Sequence, residues 1–328
     1  MSKRQLRGPL LRSVSRSFFL SIRILPVAVR EPVALAYLLA RATDTIADTK
    51  EVGLGERLDA LPKFSSAISG ADASQLAELR SSFTPLQQNA AERVLIGSIP
   101  QLLEWLNDLG DQDREDVQAV LATITRGQMS DLQRFSDATR ITALNTAAEL
   151  DEYTYLVAGC VGEFWTRICA RNVPRFARKQ MSELLASGVA YGKGLQLINI
   201  LRDTGRDLRA GRCYLPADEI AVAPSELLAA PEAAADVLCR WLDIAERGLL
   251  DGIQYADAVI NTRTRIATAL PALIGLRTLR LLRSAGTRVL HAHIKVPRAE
   301  VRSLALRAVI ARASPAFLTR ESNAAASR

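Results

Sequence analysis

Two aspartate pairs carry the residue types and the spacing for chemistry in this chain. Asp44 and Asp48 close the run "VALAYLLARATDTIADT", and Asp203 and Asp207 close "GKGLQLINILRDTGRDL". With an advance of about 100° per residue, Tyr37, Arg41, Asp44 and Asp48 project into one arc of roughly 60° on a mostly apolar helix. Gln196, Asn199, Asp203 and Asp207 project into an arc of about 80°, away from Leu197, Leu201 and Leu208. A single pair of this kind is usually a solvated helix face. Here each pair nears the C-terminal end of its run, where the helix dipole is already negative and a carboxylate costs about 0.3–1 kcal/mol. A local rule broken twice points to function. Facing each other, the two stripes would crowd four carboxylates beside the amide oxygens of Gln196 and Asn199, which only bound cations make tolerable. Oxygen donors on rigid helices suit Mg²⁺, or Mn²⁺ in its place, and a diphosphate would complete the coordination. Arg41, Arg202, Arg206 and Arg212 stand beside the acids. They could fork phosphate oxygens, or pair with these same aspartates.

The elements that must position these groups are helices. Glu31-Pro32 opens the first, and further helical runs are predicted over about 86–107, 113–136, 142–172, 178–209, 232–256, 262–291 and 296–313. Alternating β-branched runs are nearly absent, which argues against a sheet. Turn clusters such as "SSFTP", "NDLGDQD" and "RNVPR" separate the runs, without a repeat or a long linker. The reading is one all-α domain over 1–328, with a flexible basic stretch at 1–12 and a flexible tail at 315–328. Gly188, Gly192, Gly194 and Gly205 each cost about 1 kcal/mol against alanine within the second acidic helix. Close helix packing explains them, and so does a tunnel for a bulky apolar substrate.

Composition narrows the functional classes. Hydrophobic residues form 48% and charged residues 23% of the chain, which suits a globular protein with an ample core. Lysine and arginine outnumber the acids by 42 to 35, and this excess favours an anionic partner: phosphate, nucleic acid or an acidic membrane surface. Basic runs such as "RTLRLLRSAGTR" carry leucines at helical spacing, so a core-facing helix is expected there rather than a nucleic-acid interface. Cys160, Cys169, Cys213 and Cys239 show no CxxC spacing, and they read as small buried hydrophobes in a reducing compartment. His291 and His293 in "HAH" do not share a helix face, so they read as helix-end residues and no zinc site is expected. "GLGERL" and "GKGLQL" both fail as GxGxxG, and no phosphate-cradling GxxxxGK[ST] occurs. The first thirty residues are basic and carry no acid before Glu31, a pattern shared with mitochondrial presequences. No run approaches the roughly 20 uninterrupted apolar residues of a membrane span. The expected location is the cytoplasm, with peripheral contact to the inner face of the membrane.

Four blocks in order, "SVSRSFFLSIRILP", "LARATDTIADT", "DEYTYLVAGCVGEFW" and "QLINILRDTGRDLRAGRCYLP", resemble the squalene and phytoene synthases. These are head-to-head prenyltransferases with the all-α isoprenoid synthase fold, a helical bundle around a central apolar cavity. The likeness covers roughly the first two thirds of the chain. It implies that two prenyl diphosphates, farnesyl diphosphate or a similar one, are joined through a cyclopropyl intermediate. Asp44, Asp48, Asp203 and Asp207 match the positions that hold Mg²⁺, with Gln196 and Asn199 in support. Ser15, Arg16 and Ser17, with Arg41, Arg202 and Arg212, match positions near the phosphates. Tyr153 matches a tyrosine implicated in proton handling. Phe18, Val157, Ala158 and Gly162 fall where family members line the prenyl channel, and Tyr37 and Tyr214 count among the substrate-binding residues. Lys295 and Arg298 are expected to close over the phosphates.

Thr45 after the first aspartate, and "SRSF", resemble squalene synthases, whereas "GRCYLP" looks equally like phytoene synthases. Squalene is therefore the expected product, with NADPH as reductant bound without a Rossmann motif. Phytoene, dehydrosqualene, hydroxysqualene and presqualene diphosphate are the alternative products. A non-catalytic helical scaffold is the alternative of another class. A monomer that binds no nucleic acid is expected, and the expected lack of the C-terminal membrane anchor of eukaryotic squalene synthases points to a bacterial type.

Overall fold

The computed structural model describes residues 1–15, 18–71, 74–137 and 139–326. Its helices form two compact units, Met1–Ser136 with Arg167–Pro174 and Asp137–Thr166 with Arg175–Arg328. In the first unit a reciprocal cap between Ser2 and Gln5 opens α1 (Lys3–Gln5). A π turn at Leu6–Leu10 leads into α2 (Leu11–Ser15), followed by α3 (Phe18–Ile24). Leu6, Leu10 and Leu11 are buried while Arg4, Arg7 and Arg12 are exposed. The stretch expected to be flexible is thus a helical segment with a leucine face in the core.

α4 (Val27–Asp48) starts a turn earlier than Glu31-Pro32 suggests, because Pro26 supplies the extended N-cap backbone. Pro32 lies inside the helix, where its missing N–H removes one ladder bond. The unit continues through α5 (Leu54–Ile68), α6 (Leu76–Phe83), α7 (Ala90–Gly97), α8 (Ile99–Asn107) and α9 (Asp111–Arg134). α4 packs on α5, α7, α8 and α9 through residues such as Val33, Leu35, Leu38, Leu39 and Ile46. The single run predicted over 86–107 is two helices. Ser98 leaves the helical conformation between Gly97 and Pro100, which has no N–H to extend the first ladder.

The second unit departs from the all-α reading in a short two-stranded pairing. β1 (Thr142–Leu144), where a helix is predicted, pairs in parallel with β2 (Arg212–Pro216), Thr142 opposite Arg212 and Ala143 opposite Cys213. α10 (Ala147–Thr154), capped by the Thr146 hydroxyl, passes through a π turn at Tyr155–Gly159 into α11 (Cys160–Asn172), whose last six residues belong to the first unit. α12 (Met181–Arg209), α13 (Ala235–Ala258), α14 (Thr262–Ala285), α15 (Arg298–Ile310) and α16 (Pro315–Ala326) follow. Part of the expected flexible tail is therefore α16, with Phe317 and Leu318 buried.

By length and composition α12 could cross a membrane. Within its unit it is instead the helix against which α13 and α14 pack. A Cβ on Gly162 would lie 1.9 Å from the Gly188 carbonyl oxygen, and one on Gly192 would lie 2.2 Å from that of Ala158. Gly205 meets the Leu290 carbonyl in the same way. Close packing, one of the two readings open to the sequence, accounts for these glycines. The four cysteines are free; Cys160, Cys169 and Cys213 are buried as expected, but Cys239 is exposed. Burial pushes the Cys213 thiol up to about 11.

Candidate active site

In the first unit the site is built on the end of α4. The helix ends at Asp48 with no basic residue in its last turn, so both carboxylates stand on an uncompensated dipole. Arg41 Nη1 donates to Asp44 Oδ2 at 2.6 Å, while its Nη2 reaches Glu92 of α7 at 2.5 Å. Gln128 of α9 donates to the second Asp44 oxygen at 3.2 Å. Desolvation by the surrounding atoms, and then the Asp48 charge, push the Asp44 carboxyl above the usual range against the pull of Arg41 and Gln128. Asp48 is exposed. The hydroxyl of Tyr37 donates to the Val14 carbonyl at 3.2 Å, and its ring lies 5.4 Å from that of Phe18. Ser15 is buried and bonds to the Leu11 carbonyl. Arg16 and Ser17 lie outside the described residues. The unit thus gathers Ser15, Phe18, Tyr37, Arg41, Asp44 and Asp48 around α2 to α4.

Glu92 and Gln128 are absent from the sequence reading. Each is one polar side chain among others on its helix, so nothing in its own periodicity singles it out.

In the second unit the site is built on the last two turns of α12. Leu197, Leu201 and Leu208 are buried, as the projection predicts. Arg202 makes a two-pronged pair with Asp203, at 3.2 and 2.7 Å. Arg206 approaches Asp203 at 3.1 Å and Asp207 at 3.9 Å, and Arg212 of β2 donates to Asp207 at 3.0 Å. These arginines therefore hold the aspartates of their own site. Desolvation would raise the Asp203 carboxyl, yet Arg202, assisted by Arg206 and His293, holds it below the usual range. Desolvation prevails at Asp207, with the Asp203 charge adding to it, and raises that carboxyl despite Arg212 and Arg206.

Gln196 is half-buried and accepts a bond from the exposed Asn199 at 3.4 Å. Tyr153 stacks on buried Tyr214 with ring centroids 5.0 Å apart. Val157 and Ala158 sit half-buried in the π turn. Gly162, expected to line a channel, is fixed by its contact with Gly188. His291 and His293 are exposed beyond the turn at Gly286–Leu290, and Lys295 and Arg298 are exposed as well.

Among the described residues no three His, Cys, Asp or Glu side chains gather into a metal-ligating group. An aspartate pair with no third acid beside it is a donor set of the kind that suits an ion completing its shell with phosphate oxygens and water, as Mg²⁺ does. A second observation agrees with a polar occupant. Arg41 Nε and Gln128 Oε1 are buried beside Asp44 with no hydrogen-bond partner among the described residues.

The sequence pattern of the Squalene/phytoene synthase family matches residues 11–300. The chain belongs to the squalene/phytoene synthase family. Members of this family are prenyltransferases. The chain is 27% identical over 278 residues to the squalene synthase of Yarrowia lipolytica, an alignment covering 83% of this chain and 60% of that protein. It is also 27% identical over 282 residues to the 15-cis-phytoene synthase of a Paracoccus species, covering 84% of this chain and 78% of that protein. The solved complex of TcSQS with a ligand superposes with a TM-score of 0.79 at 21% identity, covering 99% of this chain and 91% of that one, which shows the shared isoprenoid synthase fold. The chain spans less than two thirds of the length of the yeast squalene synthases it matches.

Proposed function

We propose that the chain joins two molecules of farnesyl diphosphate head to head, through presqualene diphosphate, and reduces the product to squalene with NADPH. The observation that supports this most is the paired construction of the α4 and α12 ends. Each sets two carboxylates and at least one arginine where the helix dipole disfavours acids, in a chain of this family.

Asp44, Asp48, Asp203 and Asp207 would hold Mg²⁺, with Asn199 and Gln196 in support. The ions supply charge neutralisation to the departing diphosphate. Arg41, Arg202 and Arg212, paired with Asp44, Asp203 and Asp207 in the free protein, would turn to the phosphate oxygens as forked donors once the ions take up those carboxylates. As the C–O bond breaks, inorganic diphosphate leaves with the bonding electrons, and the allylic carbon bonds to the double bond of the second chain. Tyr153, braced by Tyr214, takes part in removing the proton whose loss closes the cyclopropane ring. Phe18, Val157 and Ala158 keep water from the cation. In the second half-reaction another diphosphate departs, and NADPH would supply the hydride that ends the rearranged cation.

A second reading has its own support, the equal identity to a phytoene synthase. Incubation with farnesyl diphosphate and Mg²⁺, with and without NADPH, separates the two. Squalene formed only with NADPH is expected. Dehydrosqualene formed regardless of NADPH overturns the reductive ending, and preferential use of the C20 diphosphate points to phytoene. No product from either substrate would leave a non-catalytic scaffold.

A further inference from the structure

We propose that the outer face of α15 docks the protein on an anionic lipid surface. α15 is buried on one side through Leu304 and Ala308. On the other side Leu306, Val309 and Ile310 are 61%, 45% and 72% exposed. At about 100° per residue these three and Arg302 share one arc of roughly 100°. Single exposed aliphatic residues need no explanation, whereas three within two turns of one helix form a patch that water disfavours.

The surrounding charge identifies the occupant. Arg302 and Arg312 are exposed and make no ion pair among the described residues, and Arg307, bridged to Glu321, flanks the patch. Glu300, the one acid of α15, is turned away into an ion pair with Arg277 of α14. The face therefore offers aliphatic side chains within a basic border, with no acid directed outward. A partner that complements it must be apolar and anionic together, as the headgroup and upper acyl region of an acidic bilayer are. α15 contains no Trp, Tyr or Phe, the residues that anchor most protein–protein contacts.

The test needs no substrate and no catalytic turnover. The full chain is floated with vesicles of phosphatidylcholine alone or with one quarter phosphatidylglycerol. Binding is expected to be at least tenfold tighter to the anionic vesicles and to weaken as salt rises. Leu306→Ser with Ile310→Ser should lower that binding about tenfold. Arg302→Gln with Arg312→Gln should lower it and flatten the salt dependence. All four positions are exposed, and unchanged circular dichroism and melting temperature would establish that the variants fold. Equal affinity of the wild type for both vesicle types, or of the serine variant and the wild type, would overturn the proposal. So would light scattering that finds a wild-type dimer which the serine variant converts to monomer, because a second copy would then be the occupant.

Discussion

Asp44 and Asp203 occupy matching places in their helices, yet their surroundings act in opposite directions. The fold lowers the Asp203 pKa, so this carboxylate adds stability above its unfolded pKa and loses it as pH falls through the folded one. The fold raises the Asp44 pKa, so that contribution is complete below the unfolded pKa and disappears as pH rises through the folded value. Where it is ionised, Asp44 is thus tolerated rather than stabilising. Asp203→Asn should cost about 1 kcal/mol, because Arg202 loses a charged partner at a mostly buried site. Asp44→Asn should leave the melting temperature unchanged or raise it, since Arg41 keeps Glu92. Turnover should vanish in both variants. Melting curves at pH 7 beside a product assay check this, and a stability loss in Asp44→Asn as large as in Asp203→Asn would contradict it. The stripes were legible because spacing along one helix determines which side chains share a face. Glu92 and Gln128 were not, because their relation to Arg41 and Asp44 exists only after separate helices pack.

At the scale of elements, the glycines on either side of the α11–α12 contact are the most sensitive points. Gly162→Ala would place a methyl group within 1.9 Å of a backbone oxygen, and no rotamer change can relieve that clash. A loss of about 2–4 kcal/mol is expected from denaturant unfolding, in the range of an overpacked core. Gly55→Ala in α5 meets nothing within 4 Å and should instead stabilise by about 0.5–1 kcal/mol. Helix identity was readable from apolar spacing at α9, α12, α13 and α14. It was hidden at α5, where Gly55 and Pro62 interrupt the pattern even though Leu61, Phe64 and Ile68 are buried at helical intervals. β1 escaped notice because its three residues gain order by pairing with β2, about seventy positions later in the chain, and not from local preference.

For the whole molecule, the family and the all-α fold were accessible from four short blocks, since their order constrains the chain more than any one motif does. The binding of Mg²⁺ with diphosphate can be examined apart from turnover. Inorganic diphosphate and Mg²⁺ together should raise the melting temperature by several degrees, as ligand binding to the folded state does. Neither alone should match that shift, and Asp48→Asn should abolish it. An equal shift in this variant would remove Asp48 from the metal site. The route of the backbone carries one more consequence. Because Arg167–Pro174 belongs with Met1–Ser136, neither unit is a continuous piece of chain. Arg171 bridges to Asp113 and Asp116, and Ile168 and Cys169 are buried, so a fragment ending near residue 136 forfeits these partners. Expressing either half by itself, or joining one to a foreign gene as a cassette, should yield insoluble material.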